Sequence, residues 1–247
     1  MANERLRTAL LEKSMSPAEL ASAVEVDTKT VERWVNGRNP HRRHRYQVSA
    51  LLGLDEGYLW PDALPREQVT KASASEILAV YPHRSEVPRD VWRRHFETAE
   101  QEIGVLVYAG LFLAEDRGLQ TIIRKKASAG VRVRFLIGDP EDTHVADRGE
   151  QERVGDAMAA KVRNALILYS PLRETAGVEF RMHRTVLYNS IYRSDEGVLV
   201  NTHAYGFPAP HAPVWHFRKV AGGELAAIYL ESFENVWETA VPLPPED

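Results

Sequence analysis

The segment from Glu102 to Asp139 constrains the fold of this chain more than any other part of the sequence. It begins with a nearly continuous apolar run, EIGVLVYAG, continues through GLQTIIRKKASAG, in which apolar residues recur at helical spacing, and ends with a second apolar run, VRVRFLIGDP. Apolar runs rich in β-branched residues are typical of strands that are buried on both faces. A strand, a helix and a strand in this order predict a right-handed crossover and a parallel sheet covered by helices.

The sequence beyond Asp139 predicts further elements of the same layered domain. RGEQERVGDAMAAKVRNALILY predicts a helix, and the segments VEFRMH, TVLYNSIYR, GVLVNTHAYG and PVWHFRKV predict strands joined by short turns. GELAAIYLESFENVWETA is amphipathic and predicts a closing helix. Together these elements predict an α/β domain with a mixed sheet covered by helices at residues 76–240, followed by a tail at residues 241–247.

The first 60 residues have a different pattern, in which short helices are separated by turn residues. Ser16 and Glu19 in SPAELASAV match a capping box, and Asp27 is placed to cap the helix in VDTKTVERWVNG. ERLRTALLEKS and YQVSALLG predict a helix on either side. Residues 1–60 therefore predict an all-α domain. In residues 61–75 the apolar periodicity lapses in a polar run with two prolines, which predicts a linker.

The most basic stretch of the chain lies in and after the helix that Asp27 caps. Between Lys29 and Arg45 there are six Lys or Arg residues and one acid, Glu32. The second helix of a helix-turn-helix presents its first residues to base edges, whereas phosphate contacts fix the register of the complex. We predict base contacts from Thr28, Lys29 and Arg33, and phosphate contacts from Asn36, Arg38, Arg42 and Arg43. The alternative is a small helical bundle with a solvated basic face.

Residues 4–54, with SPAELASAVEVDTKTVERWVNGR at their centre, resemble the phage-repressor, or Xre-type, helix-turn-helix family. The likeness includes the pairs Leu20–Ala21 and Arg33–Trp34. The resemblance implies that this domain binds double-stranded DNA. Glu32 is a departure, because an acid on the reading face repels phosphate and must either accept a hydrogen bond from a cytosine or point away.

The segment RMHRTVLYNSIYRSDEGVLVNTHAYG, from Arg181 to Gly206, resembles the phospholipase D-like superfamily. The family signature is His, any residue, Lys, four residues, Asp. The resemblance implies a His nucleophile on phosphorus, a Lys that stabilises the phosphate charge, and an acid that orients the His of the partner half. Here His183 is present, but Thr185 stands at the lysine position and Ser190 at the acid position.

Losing the lysine and the acid has a large expected effect on catalysis. Removing a single preorganised donor costs ~10²–10³ in rate. We therefore expect His183 to be vestigial, with no catalytic residue and no phosphodiesterase activity. A DNA-recruited nuclease or phosphodiesterase that uses His183 with unfamiliar helpers is the alternative.

In open α/β sheets ligands bind beyond the carboxyl ends of the strands, where several polar residues of this sequence fall. We predict a site for a small, anionic molecule, with the candidate ligand-binding residues Asp139, Arg163, Asn164, His183, Asn201 and His203. Each has a structural alternative: Asp139 can cap a turn, Arg163 can be a solvated helix charge, and His183 can be a hydrogen-bonded residue at a strand end. His183 and His203 lack a third metal ligand, so neither a metal site nor a cofactor is predicted.

Composition limits the compartment and the class of partner. The chain has no cysteine, which excludes disulfides and thiol nucleophiles and fits a reducing compartment. No apolar run approaches the ~18–20 residues that span a bilayer, and the polar N-terminus shows no signal peptide. We therefore expect a cytoplasmic protein with no membrane partner. The net charge of −4 argues against general nucleic-acid affinity, so DNA binding requires a local basic surface.

As a whole, the chain resembles a group of bacterial regulators in which a repressor-type helix-turn-helix precedes a degenerate phospholipase D-like domain. SEILAVYPHRSEVPRDVW, VLVYAGLFL and LYNSIYR carry this likeness. We predict a transcriptional regulator that binds operator DNA as a homodimer, because one helix-turn-helix reads only a few base pairs. Its second domain is expected to dimerise and to bind a small-molecule effector. An interaction module that binds another protein and no small ligand is a further alternative.

Overall fold

The computed structural model describes residues 2–63 and 66–243 and divides the chain into two compact units. The first unit comprises residues 1–76 and 219–225, and the second comprises residues 77–218 and 226–247. The first unit is helical, and the second contains the sheet.

The first unit begins with four helices, and two of them start at the capping residues predicted from the sequence, Ser16 and Asp27. Its helices are α1 (Glu4–Glu12), α2 (Pro17–Ala23), α3 (Thr28–Val35), α4 (Arg42–Leu52), α5 (Glu56–Leu59) and α6 (Arg66–Glu76). The predicted capping box of α2 is confirmed: the Ser16 hydroxyl accepts from the Glu19 N–H at 3.2 Å, and the Glu19 carboxylate accepts from the Ser16 N–H at 2.7 Å. The Asp27 carboxylate caps α3 by accepting from the Lys29 N–H at 2.8 Å.

The segment predicted as a linker, residues 61–75, is largely helical. Residues 66–75 belong to α6, and Pro61–Ala63 form a short 3₁₀ turn. The sequence of α6, REQVTKASASE, has good helix formers but almost no apolar side chains. Apolar periodicity therefore could not reveal this helix.

The first unit packs around the inner faces of α1 to α5. Its fully buried side chains include Leu6, Leu20, Val31, Val48, Leu52, Leu59 and Trp60. Trp34 of α3 is 3% exposed, and its ring lies 5.6 Å from that of His44 in α4. These contacts fix α3 and α4 relative to each other.

The second unit alternates strands and helices. Its strands are β1 (Ile77–Tyr81), β2 (Glu102–Val107), β3 (Arg132–Gly138), β4 (Val178–His183), β5 (Asn189–Ser194), β6 (Gly197–Thr202), β7 (Val214–Arg218) and β8 (Val241–Pro242). Its helices are α7 (Arg89–Glu97), α8 (Leu111–Glu115), α9 (Arg117–Ser128), α10 (Thr143–Gln151), α11 (Ala157–Leu168), α12 (Ser170–Arg173) and α13 (Leu225–Thr239).

The strands form one eight-stranded sheet in the order β1-β7-β6-β5-β2-β3-β4-β8. The β2–β3 and β3–β4 pairs are parallel, and the other pairs are antiparallel. The predicted fold class, an all-α unit followed by an α/β unit with a mixed sheet and helices, is confirmed. The predicted crossover is confirmed as β2, α9 and β3.

Three segments of the second unit differ from the prediction. The single helix predicted after Asp139 is two helices, α10 and α11, because Arg153 and Gly155 adopt positive φ angles of 58° and 50° between them. β5 begins at Asn189, four residues later than the predicted strand. Residues 241 and 242, predicted as the start of a tail, form β8 and pair with β4, whereas residues 244–247 lie outside the described residues.

The central strands β2 and β3 are buried on both faces, as the apolar runs predicted. Phe135 of β3 stacks on Phe180 of β4 with ring centroids 4.4 Å apart. On α13, Glu234 accepts two hydrogen bonds from Arg134 of β3, each at 2.6 Å, and this ion pair attaches the closing helix to the sheet. Because β2, β3 and β4 are parallel, their carboxyl ends lie along one edge of the sheet.

Candidate DNA-binding face and candidate ligand cavity

α3 has a buried side and an exposed side that its sequence separates at helical spacing. Val31 and Trp34 are 0% and 3% exposed and face the core of the first unit. Lys29 and Arg33, four residues apart and therefore on one side of the helix, are exposed. α3 follows α2 after a four-residue connection, Val24–Asp27, in which Glu25 adopts a left-handed φ of 54°. This short turn is what a helix-turn-helix requires.

The seven residues predicted to contact DNA form what we call the basic face. Its members, all of them exposed, are Thr28, Lys29, Arg33, Asn36, Arg38, Arg42 and Arg43. Within the described residues, no carboxylate lies within 4.0 Å of the five cations of this face. The sixth cation of the stretch is different: Arg45 is half-buried and bound to Glu56 at 2.6 Å and to the Pro40 carbonyl at 3.0 Å.

The second half of the basic face lies around the start of α4. α3 ends at Val35, and Gly37, two residues later, adopts a φ of 99°, so that the Arg38 N–H donates to the Arg33 carbonyl at 2.9 Å. Arg42 and Arg43 occupy the first turn of α4, whose N-cap residue, His41, makes no side-chain capping bond. Free amides and two guanidinium groups in one helical turn favour an anion such as phosphate.

Glu32 lies on the exposed side of α3, as the sequence analysis anticipated. No cation of the described chain lies within ion-pair distance of it. The acid therefore remains available, and it lowers the positive charge at the middle of the basic face.

A cavity of about 320 Å³ opens beyond the carboxyl end of β2, entirely within the second unit. Val107, the last residue of β2, and the segment that follows it, Tyr108–Phe112, line the cavity. β5 contributes Ser190 and Tyr192, and His203 comes from just beyond β6. The antiparallel β2–β5 and β5–β6 pairs set these side chains beside one another. The volume is at the lower end of the ~300–1,000 Å³ range of small-molecule sites.

The cavity contains a hydrogen-bonded Ser190–His203 pair. His203 Nδ1 lies 3.1 Å from the Leu187 carbonyl oxygen, which can only accept, so Nδ1 carries the proton. Nε2 is then the acceptor for the Ser190 hydroxyl at 3.0 Å. Burial, and then the positive charges of Arg148 and Arg84, lower the pKa of His203 to about 4. His203 is therefore a neutral imidazole at neutral pH.

Five Arg, Lys or Glu side chains line the cavity: Arg84, Glu115, Arg148, Glu152 and Lys161. Arg148 and Glu152 are both buried and bind each other at 2.7 Å, and Arg148 also donates to the Phe207 carbonyl at 3.1 Å. Glu115 is exposed. Arg84 lies over the ring of Phe112, with its guanidinium carbon 4.1 Å from the ring centroid.

Of the six residues predicted to bind a ligand, His203 alone lines this cavity. Asp139 directly follows β3, and its carboxylate accepts from Arg184 Nε at 2.9 Å and from the Glu141 N–H at 3.0 Å. It caps a turn, as the alternative held. Arg163 and Asn164 are exposed on α11, and Arg163 is paired with Glu141 at 2.9 Å.

His183 is 1% exposed and uses both ring nitrogens within the protein. Its Nε2 donates to the Val107 carbonyl at 3.0 Å, and its Nδ1 accepts from the Thr185 N–H at 3.3 Å. Burial lowers the pKa of His183 to about 4. The nitrogen that a nucleophile would present to phosphorus is therefore engaged with the backbone.

Asn201 is fully buried in β6 and joins the sheet to the segment before β7. Its Nδ2 donates to the carbonyls of Ala212 and Pro213 at 3.2 and 3.1 Å. Its Oδ1 has no hydrogen-bond partner within the described part of the chain. The residues of the predicted site are therefore not together. Asp139, His183 and Asn201 form hydrogen bonds at the edge of the sheet, whereas His203 lines the cavity.

Sequence reasoning missed Arg84 and Arg148 as cavity residues. Arg84 lies in a short 3₁₀ turn after β1, and Arg148 lies on α10, so no local spacing relates them to each other or to Ser190. Only the strand order brings them together. Among residues 2–63 and 66–243, no group of three or more His, Asp or Glu side chains is arranged to hold a metal ion. In the same part of the chain, no helix combines the length and the apolar composition that crossing a bilayer requires.

No protein-family model matches this chain, and no curated protein matches it. Among solved structures, TrmBL2, an archaeal chromatin protein whose structure shows a novel mode of DNA binding, is 17% identical with a TM-score of 0.44. That similarity covers 93% of this chain and 88% of TrmBL2.

Two further similar structures correspond to about two thirds of the chain. Nuc from Salmonella typhimurium, a phospholipase D family member, is 14% identical over 64% of this chain and 91% of Nuc, with a TM-score of 0.38. NucT from Helicobacter pylori is 9% identical over 67% of this chain and 98% of NucT, with a TM-score of 0.43. At these identities and TM-scores, the similarities assign no activity to this chain.

Proposed function

We propose that this chain is a cytoplasmic, sequence-specific DNA-binding transcriptional regulator of the Xre type. The observation that carries the proposal is the basic face, where five exposed cations without carboxylate partners lie on and beside a helix fixed by its buried Val31 and Trp34. Lys29 and Arg33 are placed to reach base edges in the major groove. Arg42 and Arg43 are placed to bind phosphates.

A homodimer is part of the proposal, because one α3 reads only a few base pairs. Two copies related by a twofold axis read two half-sites about 34–36 Å apart, one turn of the duplex. Light scattering after size exclusion should give twice the chain mass of 27.9 kDa. A mass that stays at one chain, with and without DNA, would contradict this part.

The DNA-binding proposal is tested with genomic fragments retained by the purified protein at near-physiological salt, where non-specific phosphate binding is weak. We expect enrichment of a palindrome with half-sites one turn apart. Arg33→Ala should weaken binding to that site by about 5- to 150-fold, the equivalent of ~1–3 kcal/mol, with little effect on unrelated DNA.

The phosphate-contact residues provide a contrasting variant. Arg42→Ala with Arg43→Ala should weaken binding to all sequences alike and reduce the salt dependence by about two counterions. The matched control is Arg7→Ala, which removes an exposed arginine of the first unit that pairs with Glu4 on α1. Equal loss by Arg33→Ala on the palindrome and on unrelated DNA would refute base reading by Arg33.

We also propose that the second unit binds a small effector without cleaving phosphodiesters. Both ring nitrogens of His183 are engaged, and Thr185 and Ser190 supply neither the cation nor the acid of the family signature. Neither bis(p-nitrophenyl) phosphate nor plasmid DNA should be hydrolysed above the rate of a His183→Gln variant. Hydrolysis that His183→Gln abolishes and Arg124→Gln leaves intact would instead support a DNA-recruited phosphodiesterase.

A further inference from the structure

The charges around the cavity do not balance. Arg148 and Glu152 neutralise each other, and Glu115 is exposed to solvent. The other two cations, Arg84 and Lys161, are half-buried, and no carboxylate of the described residues lies within 4.0 Å of either. The enclosed space therefore carries an excess of positive charge.

Arg84 has a further property that an occupied site would explain. Its Nε is buried and has no hydrogen-bond partner among the described residues. Buried donors of charged groups nearly always have an acceptor. The ring of Phe112 covers one face of the Arg84 guanidinium group. The N–H donors lie in the plane of that group and point away from its edge, and this is the geometry that binds a carboxylate or a phosphate.

Two features restrict the rest of the ligand. Apolar and aromatic side chains supply much of the wall, among them Val107, Leu111, Phe112, Met158 and Tyr192. Ser190 donates its only proton to His203, and His203 is neutral, so neither side chain adds charge to the wall. A positively charged group in the ligand would be repelled by Arg84 and Lys161, whereas a compact apolar group would pack against the apolar wall.

We propose that this cavity binds a small organic anion, in which a carboxylate or phosphate group contacts Arg84 and Lys161 and a compact apolar or aromatic body fills the space beside Phe112. The site differs from the one predicted from the sequence, because Asp139, Arg163, Asn164, His183 and Asn201 do not line it. The features of the cavity alone support the binding of such an anion. That this anion is the effector of the regulator rests on the proposed function.

The test is calorimetric titration of the full chain with two anionic probes, benzoate and phenyl phosphate. Benzyl alcohol and benzylamine are the neutral and cationic counterparts, and inorganic phosphate lacks the apolar body. We expect one saturable site per chain for at least one anionic probe. Inorganic phosphate, benzyl alcohol and benzylamine should each bind at least about tenfold more weakly, because each lacks one of the two matched features.

Variants locate the site. Arg84→Gln and Lys161→Gln should each weaken the anionic probe by about 10- to 100-fold, as expected for the loss of a charged hydrogen-bond donor. Arg84→Lys should lose less, because it keeps the charge. The control is Arg124→Gln, an exposed arginine on α9 outside this cavity, which should leave binding unchanged. Circular dichroism shows whether each variant is folded. If one of the two glutamine variants has not folded, the other one tests the site.

Three results would each overturn the inference. The first is no saturable binding of either anionic probe up to about 10 mM, a concentration at which a compact ligand of this size has measurable affinity. The second is that benzyl alcohol binds as tightly as the anionic probes, and the third is that probe binding is unchanged in both Arg84→Gln and Lys161→Gln. The DNA-binding proposal fails separately. Arg33→Ala should weaken operator binding by about the same 5- to 150-fold and leave probe binding intact. Probe binding with no effect on DNA affinity would refute the effector role and not the site.

Discussion

Mild acid should destabilise the second unit, because three of its buried histidines are neutral in the folded protein. Burial, reinforced by His216, lowers the pKa of His95 to about 3, and its Nε2 is bound to the Tyr192 carbonyl at 2.9 Å. The pKa values of His183 and His203 are lowered to about 4, with burial the main cause in each. The ordinary pKa of histidine is 6.5.

The sign and size of the effect follow from linkage. A histidine whose pKa is lower in the folded state takes up a proton on unfolding, so stability is full above pH 6.5 and falls as the pH decreases toward 4. Each group should cost about 1.4 kcal/mol per pH unit in this window, or about 2 kcal/mol by pH 5. Three groups together cost about 6 kcal/mol, comparable with the ~5–15 kcal/mol stability of a whole domain.

The pH range in which the histidines reduce stability lies above the range in which the carboxylates do so. Asp116, Asp195 and Glu234 also lose stabilising interactions in acid, because their pKa values are lowered in the folded protein. Their ordinary pKa values are 3.8 to 4.5, so these losses begin below about pH 5. The slope between pH 6.5 and pH 5 therefore belongs to the histidines.

The measurement is the free energy of unfolding in urea at pH 7, 6 and 5, followed by pulsed hydrogen exchange of the β2 and β3 peptides, which report on the second unit. The wild-type slope should be at least about three protons, or about 4 kcal/mol per pH unit, because burial also lowers the pKa of His216. His95→Gln keeps a donor for the Tyr192 carbonyl and removes one titrating ring, so its slope should be smaller by about 1.4 kcal/mol per pH unit. Identical slopes in the two proteins would refute the reasoning, whatever their absolute stabilities.

Two further substitutions probe how the sheet is assembled. The Asp195 carboxylate accepts from the N–H groups of Glu100, Gln101 and Glu102 at 2.7 to 2.9 Å, so Asp195→Ala should lower the free energy of unfolding by about 2–4 kcal/mol and Asp195→Asn by less, as measured in urea at pH 7. Equal losses would show that the charge is not important. In Gly104→Ala the added Cβ would lie 2.9 Å from the buried ring of Phe233, so we expect a loss of about 1–3 kcal/mol, and an unchanged thermal midpoint would contradict this packing.

The elements that the sequence predicted well are those whose determinants are local. Ser16, Glu19 and Asp27 cap helices through residues two or three positions away, so the start of α2 and of α3 can be predicted from a short window. The apolar runs of β2 and β3 are equally local, and the connecting helix fixes their parallel pairing. The exposed positions of Lys29 and Arg33 follow from helical spacing within α3.

The cavity could not be predicted in this way, because its parts are distant in sequence. His183 bonds to Val107, 76 residues away, which converts a residue predicted to bind ligand into part of the sheet edge. Arg84 and Arg148 reach the cavity from a turn and from a helix on different parts of the chain. The helix α6 was missed for another reason: its polar side chains leave no apolar stripe to detect.

The residue at position 190 connects the two proposals about the second unit. A carboxylate there would stabilise a protonated His203 and place a negative charge among Arg84, Arg148 and Lys161. Ser190 instead donates to a neutral imidazole, so the cavity keeps its positive charge for a ligand. The phosphodiesterase signature that this segment resembles has an acid at the position of Ser190. A serine at position 190 therefore fits both proposals, because it supplies no acid for cleavage and adds no negative charge that would repel an anion.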